Sequence, residues 1–323
     1  MNFWQTLPRP ILALAPMVGV TDSAFRQMSK KWGAHVVYSE MIASEALVRS
    51  IPKAIAMLDH DPFEYPLVAQ LMGNDPRVLA WAARIAEARG VSGIDINFGC
   101  PAHKIARNYC GAVLMRNLDL CRRLIDATLA AVSIPVSIKV RVSINARDEH
   151  GTKTGTITIN DFLEKIADLP VAAIMVHGRS FEDPFEGGIR LAMIKSVKEL
   201  FTKGPVLANG GLTIIESSQD ILEQTGADGL GLARSAIGRP WIFKQISQYL
   251  HTGAYDSMVW EEIKFAINEH AQCFELLRNT APFKEIRRHL THYISGHSHA
   301  SQMRQRLVQA NSALEVSQIL AAY

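Results

Sequence analysis

The stretch Val136-Ser137-Ile138-Lys139-Val140-Arg141 is a short apolar run with a polar side chain at every second position. Two longer amphipathic patterns flank it, over residues 118–131 and 161–169. A short apolar run between two helix-like segments is typical of a strand in a parallel sheet. Alternation along this strand places Ser137, Lys139 and Arg141 on one face. The stretch therefore predicts one strand–helix unit with two cations on the same face.

The same alternation recurs along the chain from residue 11 to residue 232. Eight strand–helix units in about 240 residues match the size and element order of a (β/α)8 TIM barrel. A doubly wound parallel sheet is the alternative, because periodicity does not show whether a sheet closes. The count of eight favours the barrel. The predicted strands are 11–18, 36–41, 67–72, 93–97, 136–141, 172–177, 205–209 and 229–232, and predicted helices include 23–32, 77–89, 118–131, 161–169, 191–201 and 215–224.

The pattern changes after Pro240. From Trp260 to Tyr323 only helical periodicity is present. We therefore predict a barrel domain over residues 1–250 and a small all-helical C-terminal domain over residues 251–323. One side of a helix in this second domain carries four basic residues at helical spacing: Lys284, Arg287, Arg288 and His292.

Composition excludes several classes of protein. The chain has 323 residues, 48% of them hydrophobic, which is too apolar for disorder. Its N-terminus lacks the pattern of a signal peptide, and no apolar run is long enough to span a bilayer. Four cysteines without paired spacing argue against a zinc site and against a disulfide framework. We expect a cytoplasmic protein, a monomer, with no metal; its net charge of +3 permits a polyanionic partner.

Polar and reactive residues gather where the predicted strands end. The carboxyl ends of barrel strands form the active-site mouth. Cys100 alone is more often a buried small residue than a reactive thiol, but its place between Gly99 and Pro101 past a strand end favours the reactive interpretation. The other residues at the strand ends are Pro16, Met17, Gln70, Asn97, Lys139, Arg141, His177, Arg179, Asn209, Gly210, Gly211, Ala233 and Arg234.

Two of these groups need a partner inside the barrel. Cations that point into a barrel require an anionic ligand or a carboxylate partner. We therefore favour a functional role for Lys139 and Arg141. The alternative, a structural pair whose charged ends reach the barrel rim, ranks second. His177 alone would more often be a hydrogen-bonded core residue, yet its strand follows the one that carries the two cations. That order favours a functional histidine.

Small residues at the ends of the last two strands indicate a phosphate site. Asn209-Gly210-Gly211 and Gly229-Leu230-Gly231-Leu232-Ala233 occupy these strands, and Ser235-Ala236-Ile237 can begin a short helix. Loops at this place in such barrels often bind phosphate through backbone N–H groups. FMN fits: its phosphate would bind the glycine loops, its ring would cross the strand ends, and Lys139 would stabilise negative charge on the reduced flavin.

The motifs together resemble the tRNA-dihydrouridine synthases, and the bacterial B-type members in particular. The resemblance covers residues 12–243, and a helical C-terminal domain is also a family trait. It is carried by Ala15-Pro16-Met17-Val18-Gly19-Val20-Thr21-Asp22, Asp95-Ile96-Asn97-Phe98-Gly99-Cys100-Pro101, Ser137-Ile138-Lys139-Val140-Arg141, Val176-His177-Gly178-Arg179, Ala208-Asn209-Gly210-Gly211 and Gly238-Arg239-Pro240-Trp241-Ile242-Phe243.

The resemblance implies a flavin-dependent oxidoreductase in which NADPH reduces FMN. Hydride then passes from flavin N5 to C6 of a uracil in tRNA while Cys100 delivers a proton to C5. By family analogy, Asn97, Arg141 and Arg179 hold the uracil. The helical domain would bind tRNA through phosphate contacts, for which Lys284, Arg287 and Arg288 are the candidates. The residues expected to bind FMN are Pro16, Met17, Val18, Gln70, Lys139, His177, Asn209, Gly210, Gly211, Ala233 and Arg234.

The chain departs from the family pattern at two places. Residues 107–115 stand where a glycine-rich stretch is usual, so Cys110 is a second thiol that could compete with Cys100. Ala233-Arg234 stands where Gly-Arg is usual, a change that a backbone phosphate contact tolerates. Two rival functions stay open: an FMN barrel acting on a free pyrimidine or on dihydroorotate, and a non-catalytic RNA-binding protein. The sequence also leaves open which uridine is reduced and whether NADPH is preferred over NADH.

Overall fold

The computed structural model describes residues 2–183, 187–212, 214–277 and 282–323. Eight parallel strands form a closed ring, because strand β2 pairs with both β1 and β3, and β8 pairs with β1. Closure confirms the barrel and excludes the doubly wound sheet. The strands are β1 (Ile11–Leu14), β2 (Val36–Tyr38), β3 (Leu67–Met72), β4 (Gly93–Phe98), β5 (Val136–Arg141), β6 (Ala173–His177), β7 (Val206–Asn209) and β8 (Gly229–Leu232).

Helices follow the strands and cover the outside of the ring. All of them except the short helix His103–Arg107, which has no buried residue, bury apolar side chains against the rest of the barrel. The helices of the barrel region are Ser23–Lys31, Ser44–Val48, Pro52–Ala56, Pro76–Ala88, His103–Arg107, Leu118–Ala131, Ile159–Lys165, Leu191–Leu200, Ser217–Thr225 and Ile242–Thr252. Short 3-10 helices cover Phe3–Gln5, Pro62–Glu64, Gly111–Arg116 and Arg234–Ala236.

All eight strands lie where the sequence predicts them, and three of them have the predicted bounds. The first two end earlier than predicted, at Leu14 and Tyr38, because the residues beyond them turn into the mouth loops. The sequence analysis missed a two-residue strand, Ile42–Ala43, beside β3 and an antiparallel hairpin formed by Ser143–Arg147 and Lys153–Thr158.

The inside of the barrel is filled from below by apolar side chains. Ile11, Val36, Val68 and Leu207 form part of a buried cluster that is separate from the layer between sheet and helices. Trp4 of the first 3-10 helix is fully buried in the same cluster. An added Cβ at Gly93, the first residue of β4, would lie 3.2 Å from the ring of Phe3. The N-terminal segment therefore closes the lower end of the barrel.

Helices also form the C-terminal region. They are Trp260–Leu277, Arg287–Tyr293, Ala300–Leu307 and Ala313–Leu320, with a 3-10 helix at Phe283–Ile286. The predicted division after residue 250 falls in the last turn of helix Ile242–Thr252, which ends at Gly253 in the left-handed conformation. That division stays a prediction. No helix in the described ranges has both the length and the apolar character needed to cross a bilayer.

The C-terminal helices pack on helix Ser23–Lys31 of the barrel. Phe25 stacks against the rings of His270 and His289, whose centroids lie 5.7 and 4.4 Å away. Both histidines are fully buried. His289 Nε2 lies 3.2 Å from the Val20 carbonyl oxygen, and Lys31 forms an ion pair with Glu269. The first loop of the mouth is thus in direct contact with the helical region.

Candidate active site

Strand register gathers one polar ring at the carboxyl end of the barrel. Residues two apart on a strand share a face, so the side chains above the apolar inner cluster also point inward. Lys139 is the register partner of Asn97, and His177 is the partner of Asn209. Gln70 lies above Val68 on β3. The structure therefore brings together five residues that the sequence predicts for this mouth.

Asn97 fixes the backbone on which Cys100 stands. Its Oδ1 accepts hydrogen bonds from the N–H groups of Gly99, at 3.1 Å, and Cys100, at 2.9 Å. Its Nδ2 donates to Gln70 Oε1 at 2.9 Å. The side chain is buried, so these bonds satisfy polar groups that lie away from water. Asn97 thus orients the cysteine loop from inside the barrel.

A buried carboxyl group lies beneath this pair. Gln70 Nε2 donates to Asp95 Oδ2 at 2.8 Å, and Ser137 Oγ donates to Asp95 Oδ1 at 2.8 Å. Burial raises the pKa of Asp95 to about 6, against the opposing effect of its two hydrogen bonds and of Lys139. Asp95 stands in the motif that resembles the family but has no predicted role, although its alternation with Asn97 on β4 puts both residues on one face. Asp95 therefore orients Gln70 and, through it, Asn97.

Lys139 contacts Asn209, the residue that precedes the two glycines after β7. Its Nζ donates to Asn209 Oδ1 at 3.0 Å, and Asn209 Nδ2 donates to the Gly231 carbonyl at 2.7 Å. Burial and the nearby Arg141 lower the pKa of Lys139 to about 8. An anionic ligand beside Nζ would favour the charged form, so this position is suited to the negative part of a cofactor.

Arg141 holds the cysteine loop from the other side. Its Nε donates to the Gly99 carbonyl at 2.9 Å and its Nη1 to the Ser180 carbonyl at 2.6 Å. Only 2% of the residue is exposed, and burial lowers the pKa of the guanidinium to about 10. The structure therefore gives Arg141 a positioning contact that the sequence analysis did not foresee, since both acceptors are backbone carbonyls.

His177 is neutral in this environment. Burial, followed by the positive charges of Lys139, Arg141, Arg179 and Arg234, lowers its pKa to about 2. Arg179 Nη1 lies 3.4 Å from Nε2 of His177. Because a guanidinium only donates, Nε2 is the acceptor and the ring proton lies on Nδ1. A neutral imidazole that carries its proton on Nδ1 is suited to donate a hydrogen bond to a ligand.

The two glycines after β7 pack closely on neighbouring side chains, Gly210 on His177 and Gly211 on Ile189. Gly210 and Gly211 have φ values of +93° and +74°, which side chains rarely adopt. A Cβ added at Gly210 would lie 2.6 Å from Cδ2 of His177. After β8, Ala233 leads into the 3-10 helix Arg234–Ala236. Backbone N–H groups with little side-chain cover, beside a lysine and a neutral histidine, fit the phosphate and ring of a flavin mononucleotide.

Pro16, Met17 and Val18 follow β1 directly. Pro16 and Met17 are partly buried, and Val18 is 59% exposed. The Met17 N–H donates to Thr21 Oγ1 at 3.2 Å, which folds this loop over the mouth. These three residues thus lie at the same end of the barrel as Lys139 and Asn209.

Cys100 and Cys110 lie in different surroundings. Cys100 is partly exposed, and its carbonyl accepts a hydrogen bond from Ala112 N–H at 3.0 Å. An added Cβ at Gly111 would lie 3.1 Å from Cys100 Cβ, so the Gly111 side faces Cys100. The Cys110 thiol is buried, and its Sγ donates to the Asn108 carbonyl oxygen at 3.4 Å. Burial and Glu45 raise the pKa of Cys110, which makes it a poor proton donor.

The three predicted tRNA contacts lie in different environments. Lys284 is exposed. Arg287 donates to the Ala310 carbonyl at 3.1 Å, to the Gln309 carbonyl at 3.2 Å and to Asn311 Oδ1 at 2.9 Å, so its guanidinium joins two parts of the helical region. Arg288 lies over the first mouth loop, where a Cβ at Gly19 would come within 2.8 Å of Nη1. Of these three residues, Lys284 and Arg288 therefore present charge beyond the helical region itself.

No group of three or more histidine, cysteine or acidic side chains suited to a metal ion is present in the part of the chain that the structure describes.

The likeness to solved structures shows the fold. Histamine dehydrogenase from Rhizobium sp. 4-9 aligns with a TM-score of 0.56 and 16% identity, over 81% of this chain and 49% of that one. A 2-naphthoyl-CoA reductase complex aligns with a TM-score of 0.54 and 10% identity, over 74% and 50% of the two chains.

Sequence comparison identifies the family. The probable tRNA-dihydrouridine synthase of Rickettsia conorii is 34% identical over 319 residues, which cover 97% of this chain and 92% of that protein. The tRNA-dihydrouridine synthase B of Pseudomonas aeruginosa is 37% identical over 250 residues, 77% of this chain and 72% of that protein. The family model described as dihydrouridine synthase (Dus) matches residues 13–322. The chain therefore belongs to the dihydrouridine synthase family of enzymes.

Proposed function

We propose that this protein is an FMN-dependent tRNA-dihydrouridine synthase that uses NADPH to reduce the C5–C6 double bond of a uridine in tRNA. The observation that carries the proposal is the arrangement of side chains at the carboxyl end of the barrel. A partly exposed thiol, Cys100, is held by Asn97 and by Arg141 next to the Lys139 cation and the neutral His177. The names of the relatives, which span more than nine tenths of the chain in the Rickettsia case, point to tRNA as the substrate.

The proposed cofactor site is supported by charge and space. Lys139 would contact the part of FMN that becomes negative on reduction, and His177 would donate a hydrogen bond from Nδ1. Gly210, Gly211, Ala233 and Arg234 would hold the phosphate, while Gln70, Asn209 and the loop Pro16, Met17 and Val18 would border the ring. When bound, FMN supplies the hydride that reaches C6 of the uracil.

The proposed proton donor is Cys100. A proton must reach C5 as hydride reaches C6, and the thiol stands on a loop whose backbone is fixed by Asn97 Oδ1 and Arg141 Nε. General acid catalysis by a positioned side chain contributes about 10²–10⁴-fold to a rate. Asn97, Arg141 and Arg179 would border the uracil. Because Asn97 and Arg141 already hold the loop, they would place thiol and substrate relative to each other.

The helical region would bind the body of the tRNA. Reaching a base inside an RNA fold requires turning the nucleotide out, and contacts to phosphates fix the rest of the molecule. Lys284 and Arg288 are the proposed phosphate contacts, and we assign Arg287 a structural role because its guanidinium binds Ala310, Gln309 and Asn311. We also propose a cytoplasmic monomer with a barrel domain over residues 1–250 and a tRNA-binding domain over residues 251–323.

The test combines colour, product and one variant. Purified protein should show a flavin spectrum, form dihydrouridine from unmodified tRNA and NADPH, and lose about 10²–10⁴ in rate as Cys100→Ala while keeping its flavin. Cys110→Ala is the matched control and should retain activity, because that thiol is buried and donates to the Asn108 carbonyl oxygen. A flavoprotein without RNA product would point to a free pyrimidine or dihydroorotate as substrate. A colourless protein that binds tRNA would point to a non-catalytic RNA-binding protein.

A further inference from the structure

The segment after Cys100 carries an exposed face that the proposed chemistry does not use. A short helix, His103–Arg107, leads to Asn108 and Tyr109, and the exposed residues are His103, Lys104, Arg107, Asn108 and Tyr109. The sequence has no aspartate or glutamate from residue 99 to residue 118. Neither Lys104 nor Arg107 takes part in an ion pair within the described ranges. The face is therefore basic and open to solvent.

Tyr109 stands out on this face for its backbone and its exposure. Its φ is +53°, a region that residues with side chains rarely adopt, and the residue is 43% exposed. Among the described residues, no aromatic ring stacks on it and no hydrogen bond holds its hydroxyl. Nothing in the packing of the loop thus requires an aromatic residue here. Glycine would fit the backbone better.

The position of Tyr109 is fixed relative to the proposed proton donor. The Asn108 carbonyl accepts a hydrogen bond from Asn74 Nδ2 at 3.0 Å, which ties the segment to the loop after β3. Two residues beyond Tyr109, Gly111 packs against Cys100, and Ala112 N–H binds the Cys100 carbonyl. The ring therefore lies on the same short loop as the thiol, at the carboxyl end of the barrel.

We infer that the face formed by residues 103–109 binds the RNA strand beside the target uridine, with Tyr109 stacking on a neighbouring base and Lys104 and Arg107 contacting phosphates. The inference rests on the proposed function. A nucleotide turned out of its stack leaves the face of its neighbour uncovered, and aromatic side chains offer such bases a stacking surface. Lysine and arginine beside it would hold the backbone without reading sequence. The RNA would then be held on both sides of Cys100.

Two substitutions at one position separate the ring from the backbone. Tyr109→Gly removes the ring and suits a φ of +53°, whereas Tyr109→Phe keeps the stacking surface. We expect the Kd for tRNA, measured without NADPH, to rise about tenfold for Tyr109→Gly and to stay within about twofold for Tyr109→Phe. An unchanged Kd for Tyr109→Gly, or an equal loss for Tyr109→Phe, would overturn stacking. Thermal melting should show Tyr109→Gly at least as stable as the wild type.

The proposed phosphate contacts of this face are tested by the salt dependence of tRNA binding. Arg107→Gln should reduce the slope of log Kd against log salt concentration by about 0.7 to 0.9, the value for one phosphate contact. An unchanged slope would remove Arg107 from the interface. These measurements need no turnover, so they decide the inference separately from the proposed function. If the wild type binds tRNA without forming dihydrouridine, the proposed function fails and the result with Tyr109→Gly still stands.

Discussion

At the scale of single residues, Asn97 is the most informative side chain, because it can affect the rate through the cysteine loop without touching the substrate. Asn97 Oδ1 accepts hydrogen bonds from two backbone N–H groups of the cysteine loop, while Nδ2 donates a hydrogen bond to Gln70. Replacing it removes the acceptor and leaves two buried donors unpaired. A displacement of about 1 Å at a reacting group can cost on the order of 10²-fold in rate.

We therefore predict that Asn97→Ala lowers kcat for dihydrouridine formation by about 10- to 100-fold while flavin remains bound. Asn97→Asp keeps an oxygen for the two N–H groups, although it puts a second acceptor against Gln70 Oε1 and adds a charge near Asp95. Because the loop bonds are kept, we expect its loss in kcat to be smaller than that of Asn97→Ala. Single-turnover rates of the two variants check the order. Equal losses would show that the effect of Asn97 on kcat does not depend on its hydrogen bonds to the N–H groups of the loop.

Residue-scale prediction from the sequence works where chemistry and position coincide. Lys139, His177 and Asn209 are recognisable because strand alternation puts polar groups on an inward face at the strand ends. The Arg141 contacts to the carbonyls of Gly99 and Ser180 are not, since backbone acceptors leave no mark in the sequence. Asp95 lies on an alternating strand like the others, but nothing in the sequence tells that its neighbours Gln70 and Ser137 will satisfy it.

At the scale of elements, the junction between helix Ser23–Lys31 and the C-terminal helices contains two buried histidines. Burial lowers the pKa of His270 to about 3, and burial together with His270 lowers the pKa of His289. Both rings are neutral in the folded protein, whereas an unfolded chain takes up protons at each ring near pH 6.5. Their contribution to stability is complete above about pH 6.5 and is lost as the pH falls below it.

We predict a steep loss of unfolding free energy on acidification from pH 6.5 to pH 5, of about 2 kcal/mol for His270, with a further loss in the same direction for His289. His270→Gln should reduce the pH slope by about one proton, whatever it does to stability at neutral pH. Urea titrations at a series of pH values measure this slope. His150→Gln, at an exposed position, is the control and should leave the slope unchanged; an unchanged slope for His270→Gln as well would contradict the prediction.

Elements differ in how well the sequence predicts them. The barrel strands are apolar runs bounded by turn residues, so their positions follow from composition and spacing. The hairpin of Ser143–Arg147 and Lys153–Thr158 has no such pattern, because much of its second strand is polar and exposed. The short helices Ser44–Val48 and Pro52–Ala56 are too brief to show a period, and tertiary packing rather than propensity determines them.

At the scale of the whole molecule, the proposed binding of tRNA depends on which basic side chains of the helical region are exposed. Lys284→Gln and Arg288→Gln should each weaken tRNA binding and reduce its salt dependence by about one counterion. Arg287→Gln should instead lower the melting temperature, because its guanidinium joins Gln309, Ala310 and Asn311 to helix Arg287–Tyr293. Salt titrations and thermal melts of the three variants test this division. A reduced salt slope for Arg287→Gln alone would reverse it.

The plug of Trp4 and Phe3 under the barrel also bears on the order of events in catalysis. With the lower end filled by side chains, the nicotinamide donor and the RNA would have to approach the flavin through one shared opening. Two large reactants that need the same opening exclude each other, so each turnover would be divided into two half-reactions. Initial rates at several fixed NADPH concentrations should then give parallel double-reciprocal lines. Excess tRNA should slow flavin reduction by occupying the oxidised enzyme, and intersecting lines would mean that both reactants can be bound at once.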